Sequence, residues 1–566
     1  MARVGLPAAL HLVGQLARFR PMVAFARAAE IPAETQHAKL MELLRRNADT
    51  EYGRRFGFAT IRSPAEYAER VPLMSPLDLQ PYVARMMKGE RGILTADPPV
   101  YYTRSTGSSS APKFVPVTDS YRVDFQRTVF VSLGHIYRRF PSAFLGRALY
   151  FVGSRRIEVA PDGNDVGTMS GYNFTELPAL IRKIYAWPYE LFTVEDLETR
   201  SYLSLHIALT QGVSCVGGIF PAPIVYLLRD LERRGPELAR CLYDGTLPTT
   251  LKLPADQRAF FSRYAKARPD VAARVERALE GPAEAAVSTA FPMLRLVYCW
   301  STSTAALYVP ELKRRLGPRV AVRDAIYAAT EGWCTIPMGD EEPGGPLALQ
   351  SGYFEFIPAD ALAAGRTDVV PVEGLEQGRR YAIVLTTAVG AYRYLLGDVV
   401  EVNGFYKKTP RLIFVRRTGA TSSLLGEKLD EVHVTEAVAA ALSALELEAT
   451  WFSLAPRLGE SKPGYTLHLE LPRRPAEALR AKIGAHVDEA LGDRAADYQG
   501  LRRAGQLAAV DVHVVQPGVY DSFRQEKLRE GAAEAQLKTA HLVAKVEELP
   551  ERFRVRGGSV TSATGK

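Results

Sequence analysis

The sequence contains few cysteines, and no pattern organises them. Only four occur in 566 residues, at positions 215, 241, 299 and 334, and none belongs to a Cys-x-x-Cys pair. Neither a disulfide framework nor a zinc knuckle is therefore indicated, and we expect buried or incidental thiols. The nine histidines are equally dispersed, with no His-Glu-x-x-His and no Gly-x-Ser-x-Gly sequence. Zinc-protease and serine-hydrolase chemistry are disfavoured as a result.

The chain also lacks an uninterrupted apolar run and a dense basic run. The apolar stretch 4–29 is interrupted by arginines at 18, 20 and 27, which leaves no segment long enough to cross a bilayer. An amphipathic helix packed on the body is expected there, with peripheral membrane contact as the alternative. The net charge of +8 is spread thinly, which suits an anionic small-molecule substrate and disfavours a nucleic-acid surface. We expect a cytoplasmic protein, with a monomer as the default.

What the sequence does contain is typical of a globular protein with more than one domain. Hydrophobic residues make up 47% and charged residues 24%, and 566 residues exceed what one hydrophobic core usually serves. Helices and strands interleave up to Arg417, which favours an α/β domain with ligand-holding loops at its strand ends. The predicted organisation is a large N-terminal α/β domain over 1–417 with a helical lead-in over 1–100, a hinge over 418–425, a small mobile C-terminal α+β domain over 426–556, and a disordered tail over 557–566.

Hydrophobic periodicity assigns the elements within these domains. The predicted helices cover 34–47, 75–88, 119–138, 224–243, 255–279, 431–445 and 476–491. The predicted strands cover 148–152, 294–300, 320–326, 353–357, 381–387, 399–402, 412–415, 450–454, 465–471 and 510–515.

The segment from Thr103 to Lys113 is the first candidate for chemistry. Between 105 and 110 it contains five hydroxyl-bearing residues and one glycine, and a Pro-Lys pair follows. Hydroxyls and backbone amides can surround a polyphosphate, the glycine permits close approach, and the lysine adds a compact positive charge. The same composition is equally compatible with a solvated surface loop.

Two further clusters place a carboxylate at a turn. In the first, Tyr327 to Trp333, Thr330 and Glu331 follow a strand, and a carboxylate near phosphates can hold magnesium. In the second, Tyr392 to Val400, a Gly-Asp turn is predicted before a strand, and Asp398 can accept hydrogen bonds from ribose hydroxyls. Considered alone, the glutamate fits a solvated loop, the Gly-Asp pair fits an ordinary turn, and Arg393 fits a surface charge.

Two lysines of the C-terminal region complete the candidate set. Lys428 lies in Gly-Glu-Lys-Leu and Lys538 in Gln-Leu-Lys-Thr. A mobile small domain could carry either cation to a reacting phosphate, where it would stabilise developing charge. Spacing alone does not select these two among 71 basic residues.

The order of these clusters resembles the auxin-responsive acyl-acid amido synthetases, which conjugate indole-3-acetic acid or jasmonate. That family belongs to the adenylate-forming superfamily, with acyl-CoA synthetases, peptide-synthetase adenylation domains and firefly luciferase. The resemblance covers nearly the whole chain, including Asn47 to Gly53, Phe354 to Pro358, and Phe414 to Arg417 leading to Gly426 to Glu431. Each motif alone is weak, whereas the ordered set is highly specific.

The resemblance implies a role for each matching residue. Ser105, Thr106, Gly107, Ser108, Ser109 and Lys113 correspond to the binder of the ATP phosphates. Thr330 and Glu331 correspond to phosphate and Mg2+ contacts, with Tyr327 beside the adenine and Thr302 and Ser303 lining its pocket. Asp398 and Arg417 correspond to ribose contacts, and Lys428, Lys538 and Glu331 to the catalytic set. Two departures are Ser110, where the superfamily has glycine, and the glycine-poor segment 301–304.

The function implied is a two-step ligase that uses ATP and Mg2+. A carboxylic acid is adenylated, and an amine, with an amino acid as the expected donor, then takes the acyl group. An alternative within the superfamily is an acyl-CoA or carrier-protein thioester ligase. An alternative from another class is a non-catalytic adenylate-fold protein that binds a ligand.

Overall fold

The chain is organised in two compact units, one ending at Val415 and the other beginning at Arg416. The computed structural model describes residues 20–105, 113–417, 421–422, 424, 427, 429–457, 462–530, 540–543 and 546–554. The predicted tail, 557–566, lies outside these residues. Among the helices described, none has both the length and the apolar character needed to span a bilayer.

The first unit is rich in helices. Residues 20–28 are helical. The α-helices that follow are Pro32–Arg46, Glu51–Arg55, Pro64–Arg70, Pro76–Met87, Asp119–Arg139, Met169–Thr175, Ala179–Arg182, Leu197–Thr210, Ala222–Asp244, Ala255–Ser262, Pro269–Glu280, Ala283–Ala290, Val309–Leu316 and Ala359–Ala363. Short 3-10 turns occur at Phe58–Thr60, Pro141–Phe144, Tyr189–Thr193, Ser303–Tyr308 and Val372–Gly374.

One predicted helix is in fact two. The stretch 255–279 is helical at Ala255–Ser262 and again at Pro269–Glu280, with a break between them. Pro269 begins the second helix, and Arg268 before it has φ −138° and ψ 70°, outside the helical region. A residue preceding proline is driven out of the helical region by the proline ring, so apolar periodicity alone was insufficient here.

In the described part of the first unit, the strands form three sheets and a hairpin. A parallel sheet has the order Arg147–Tyr150, Val213–Gly217, Leu296–Tyr298, Ala321–Arg323. A five-stranded sheet has the order Gly345–Pro346, Thr409–Arg417, Ala391–Tyr406, Arg380–Thr387, Tyr353–Pro358. A four-stranded sheet has the order Lys113–Val117, Tyr101–Ser105, Asp165–Gly167, Glu158–Val159, and the hairpin joins Ala328–Ala329 to Gly332–Trp333.

The second unit is a small α+β assembly. Its three-stranded sheet has the order Trp451–Arg457, Gly464–Glu470, Asp511–Val515, antiparallel in the first pair and parallel in the second. Its helices are Glu431–Ala444, Glu477–Arg494, Ala496–Arg503 and Val519–Arg529, with 3-10 turns at Val546–Glu548 and Glu551–Phe553. A short pair joins Thr421–Ser422 to Leu429–Asp430. The α/β unit followed by an α+β unit confirms the predicted fold class.

The helical lead-in is tied to the later chain by a buried ion pair. Lys39 Nζ lies 2.8 Å from Asp124 Oδ2, and each side chain is only 5% exposed. Burial raises the pKa of Asp124, and the adjacent ammonium of Lys39 opposes that rise. Because a buried charge without its partner is costly, this pair fixes the helix Pro32–Arg46 against the helix Asp119–Arg139.

Acid should destabilise the first unit through His206. This residue is fully buried in the helix Leu197–Thr210, and burial lowers its pKa from 6.5 to about 4. Between about pH 6.5 and pH 4, His206 is protonated in the unfolded chain but neutral in the folded chain. The stability that is present above about pH 6.5 is therefore lost as the pH falls toward 4. Between pH 7 and pH 5, the free energy of unfolding measured with urea should fall by about 2 kcal/mol less in His206→Leu than in the wild type. An equal decrease in the free energy of unfolding in both proteins would contradict this assignment.

Candidate active site

Two neighbouring parallel strands place the predicted nucleotide segments side by side. Segment 301–303 follows Leu296–Tyr298, and Tyr327 follows Ala321–Arg323 in the adjacent strand. The carboxyl ends of parallel strands lie at the same edge of a sheet, where α/β folds bind ligands. The Trp300 indole donates to the Ile326 carbonyl at 2.8 Å, which joins the two segments directly.

The segment predicted to line the adenine pocket has an unusual backbone. Thr302 is extended, and Ser303 opens the 3-10 turn Ser303–Tyr308 with φ 53°. A non-glycine residue in the left-handed region is uncommon and is kept only where the surroundings require it. The backbone two residues before Ser303 is held by such a contact, because the Ser301 N–H donates to Asp324 Oδ1 at 2.9 Å.

Thr330 and Glu331 form the two-residue turn of the small hairpin. Ala329 pairs with Gly332 across it, so these two residues lie at its tip. The Thr387 hydroxyl donates to the Glu331 carbonyl at 2.8 Å, and the Tyr121 hydroxyl donates to the Thr330 carbonyl at 3.1 Å. A strand and a helix therefore hold the turn from two sides, unlike a solvated loop.

Asp398 lies in a bulge within a long strand, and the predicted Gly-Asp turn before a strand is wrong. The strand runs through Ala391–Tyr406, and its register against Arg380–Thr387 shifts between the pairs Ala382–Val399 and Val384–Leu395, which bracket Gly397 and Asp398. Gly397 has φ 79°, which glycine adopts without steric cost. A bulge inserts residues on one strand only and re-aims their side chains, which explains the direction of Asp398.

The carboxylates of the two motifs are each held by a tyrosine of the other motif. The Tyr327 hydroxyl donates to Asp398 Oδ2 at 2.7 Å, and the Tyr394 hydroxyl donates to Glu331 Oε1 at 2.8 Å. Asp398 is 3% exposed and Glu331 is 8% exposed. We call these two hydrogen bonds the crossed pairs. They bring Tyr327, Glu331 and Asp398, which were separate in the sequence prediction, into one site.

Cys334 lies near both carboxylates of the crossed pairs. Burial raises the pKa of its thiol well above the usual value, and the negative charges of Asp398 and Glu331 add to that rise. Cys215, Cys241 and Cys299 are also buried and free. The prediction of buried thiols is confirmed, although one of them belongs to the candidate site.

The predicted phosphate loop is described only at its ends. Ser105 ends the strand Tyr101–Ser105 and pairs with Lys113, the first residue of the next antiparallel strand. Thr106, Gly107, Ser108 and Ser109 lie outside the described residues, as do Lys428 and Lys538. Arg417 ends the strand Thr409–Arg417, and only its backbone is described.

The donor set suits magnesium carried by a nucleotide. Among the described residues, no group of three or more histidine, cysteine or acidic side chains is arranged to hold a metal on its own. Magnesium usually takes one or two carboxylates and fills its other positions with phosphate oxygens and water. A single carboxylate at Glu331 fits that requirement.

Sequence reasoning missed three residues that build this site. Tyr394, Tyr121 and Thr387 contact Glu331 or Thr330 directly. Tyr394 lies inside the Tyr392 to Val400 motif. Its spacing of two residues from Tyr392, which is typical of side chains on one face of a strand, was the only sequence pattern that pointed to it. Tyr121 and Thr387 come from elements more than fifty residues away from Glu331, and nothing local marks them.

Comparison with solved structures defines the class of fold. An acyl acid amido synthetase, GH3.15, matches with a TM-score of 0.81 at 23% identity, covering 93% of this chain and 94% of that one. A 2-hydroxyisobutyryl-CoA ligase in complex with an acyl-adenylate matches with a TM-score of 0.50 at 12% identity, covering 91% and 90%. The architecture is that of the adenylate-forming ligases.

Family models then identify the family. The GH3 N-terminal domain matches 22–321, the GH3 central domain 345–417, and the GH3 C-terminal domain 432–547. The chain belongs to the GH3 family, which confirms the resemblance read from its motifs. Curated relatives include a jasmonoyl-L-amino acid synthetase of Nicotiana attenuata, 27% identical over 90% of both chains. An indole-3-acetic acid-amido synthetase of Arabidopsis thaliana is 24% identical over 90% of this chain and 89% of that one.

Proposed function

We propose that this protein is an ATP-dependent acyl-acid amido synthetase that adenylates a carboxylic acid and conjugates it to an amino acid. The observation that carries the proposal is the pair of buried carboxylates, Glu331 and Asp398, held together by the crossed pairs. The named activities of the GH3 relatives support the same chemistry. We further propose that it acts in the cytoplasm on small-molecule substrates and works as a monomer.

The reaction proceeds in two displacements. An oxygen of the substrate carboxylate attacks the α-phosphorus of ATP, a P–O bond forms, and the bond to the leaving pyrophosphate breaks. The amine then attacks the acyl carbon, loses a proton, and expels AMP. Since hydroxide is a poor leaving group and AMP is a good one, adenylation makes the amide bond accessible. Positioning and electrostatic stabilisation provide most of the rate in such transfers.

We assign the residues of this chain to the parts of the nucleotide. Asp398 accepts hydrogen bonds from the ribose hydroxyls, and Arg417 reaches the same sugar. Glu331 holds magnesium, which neutralises phosphate charge when bound, and Thr330 contacts phosphate. The phosphate loop, comprising Ser105, Thr106, Gly107, Ser108, Ser109 and Lys113, surrounds the polyphosphate, while Thr302, Ser303 and Tyr327 line the adenine. Lys428 and Lys538 are proposed as the cations for the α-phosphate.

A carboxylic-acid panel tests the function. Purified protein with MgATP and mixed amino acids should release pyrophosphate with a subset of acids, and the products should have the masses of acid–amino acid conjugates. Replacing the amino acids with CoA separates amide from thioester formation in the same assay. Thioester products alone would reassign the protein to the thioester ligases. Failure to release pyrophosphate with any acid would favour a non-catalytic binding protein.

A further inference from the structure

The crossed pairs connect the two carboxylate motifs in both directions. Tyr327 precedes Glu331 in one motif but donates its hydroxyl to Asp398, and Tyr394 precedes Asp398 in the other motif but donates to Glu331. The partners are 71 and 63 residues apart in the chain. Each carboxylate therefore accepts a hydrogen bond from a phenol of the opposite motif.

The carboxylates need an external constraint because their side chains rotate freely when unheld. A glutamate side chain has three rotatable bonds and loses appreciable entropy when it is fixed. A phenol that donates to a carboxylate forms a charge-assisted bond, stronger than one between neutral groups. One such bond fixes one oxygen and thereby the orientation of the whole carboxylate.

Tyr394 is itself fixed by its backbone. The Met74 N–H donates to the Arg393 carbonyl at 2.9 Å, and the Leu395 N–H donates to the Met74 carbonyl at 2.9 Å. These two bonds flank Tyr394, whose side chain is only 2% exposed. The phenol that holds Glu331 therefore projects from a rigid strand, as a positioning group must.

We infer that Tyr394 and Tyr327 are positioning residues, of which Tyr394 orients Glu331 toward magnesium and Tyr327 orients Asp398 toward ribose. This inference rests on the proposed function, because it takes the roles of the two carboxylates from there. It adds that magnesium binding and ribose recognition are controlled separately, each by a phenol from the opposite motif.

Two binding measurements on single variants separate these roles without turnover. The first is the affinity for α,β-methylene-ATP, measured by calorimetry with and without Mg2+. The ratio of the two affinities is the gain from metal. The second is the affinity ratio of AMP to 3′-deoxy-AMP without metal, which reports recognition of the ribose. Tyr394→Phe should reduce the gain from metal about tenfold and leave the ribose ratio unchanged. Tyr327→Phe should lower the ribose ratio about fivefold and leave the gain from metal unchanged.

Tyr392→Phe is the matched control. Tyr392 lies two residues from Tyr394 in the same strand, is fully buried, and donates to the Leu94 carbonyl at 2.6 Å. Loss of its hydroxyl should alter neither measurement. In addition, Tyr394→Phe should cause no further change in the gain from metal when Glu331→Gln is already present, because the inferred effect of the phenol is exerted through the Glu331 carboxylate.

The outcomes distinguish this inference from the proposed function. Equal changes in both measurements for both tyrosine variants, or changes no larger than those of Tyr392→Phe, would show that the phenols only support the fold and would overturn the inference alone. A wild-type protein that binds neither nucleotide would overturn the proposed function and the inference together.

Discussion

Alanine at Glu331 or at Asp398 is expected to lower acid-dependent pyrophosphate release by at least about a hundredfold. Each change removes a buried carboxylate from its proposed role, and each removes the acceptor of a tyrosine hydrogen bond. Initial rates at saturating acid, with ATP varied, measure the effect. Loss at Asp398 should appear largely in KM for ATP, since ribose contacts form before the chemical step, whereas loss at Glu331 should appear in kcat.

The control for this loss is an acidic residue of the same unit that lies away from the site. The Glu376 side chain is 68% exposed and pairs only with Arg379 among the side-chain interactions described, so Glu376→Ala should keep wild-type rates. Unfolding midpoints of all three variants show whether lost activity reflects lost structure. Wild-type rates in both Glu331→Ala and Asp398→Ala would remove these residues from the active site.

Replacing Arg393 by methionine is expected to destabilise the first unit by about 3–5 kcal/mol. The guanidinium lies 3.0 Å from Glu355 Oε2, donates to the carbonyls of Ala68 and Val71 at 2.7 and 2.9 Å, and is 8% exposed. Burial raises the pKa of Glu355, and Arg393 opposes that rise. Without the arginine, a buried carboxylate and two carbonyls would lose their donor. Urea unfolding followed by tryptophan fluorescence measures the change.

Two comparisons make this prediction specific to the buried pair. Arg379→Met removes an arginine that is 43% exposed from an ion pair with Glu376 and should cost at most about 1 kcal/mol. The double variant Arg393→Met with Glu355→Met should be more stable than Arg393→Met alone, because no unpaired charge remains buried. A cost for Arg393→Met as small as that for Arg379→Met would contradict the account.

The sequence predicted the fold class and family because both depend on patterns that span the chain. The resemblance depended on the order of three motifs along the chain: the loop, the Tyr-x-x-Thr-Glu cluster and the Gly-Asp cluster. That order does not depend on local geometry. Helices such as Asp119–Arg139 and Glu431–Ala444 were predicted to within one residue at each end, since apolar spacing and polar flanks agree there.

Local geometry set by distant contacts was not predictable in the same way. Arg393, which fits a surface charge in sequence, is buried, because its partners Ala68, Val71 and Glu355 come from two remote segments. The Gly397-Asp398 pair has the composition of a turn, yet it forms a bulge because the strand continues on both sides. The crossed pairs depend on how one long strand and a hairpin meet, which no spacing within either motif encodes.

The most direct test of acyl-adenylate formation uses a substrate acid labelled with oxygen-18 in its carboxyl group. In a reaction with MgATP and an amino acid, attack of the carboxylate on the α-phosphorus transfers one labelled oxygen to AMP, and mass spectrometry of the products locates it. We predict one heavy oxygen in AMP, none in pyrophosphate, and an acid–amino acid amide in equal amount. Label in inorganic phosphate with ADP as the product, or unlabelled AMP beside the amide, would contradict the account.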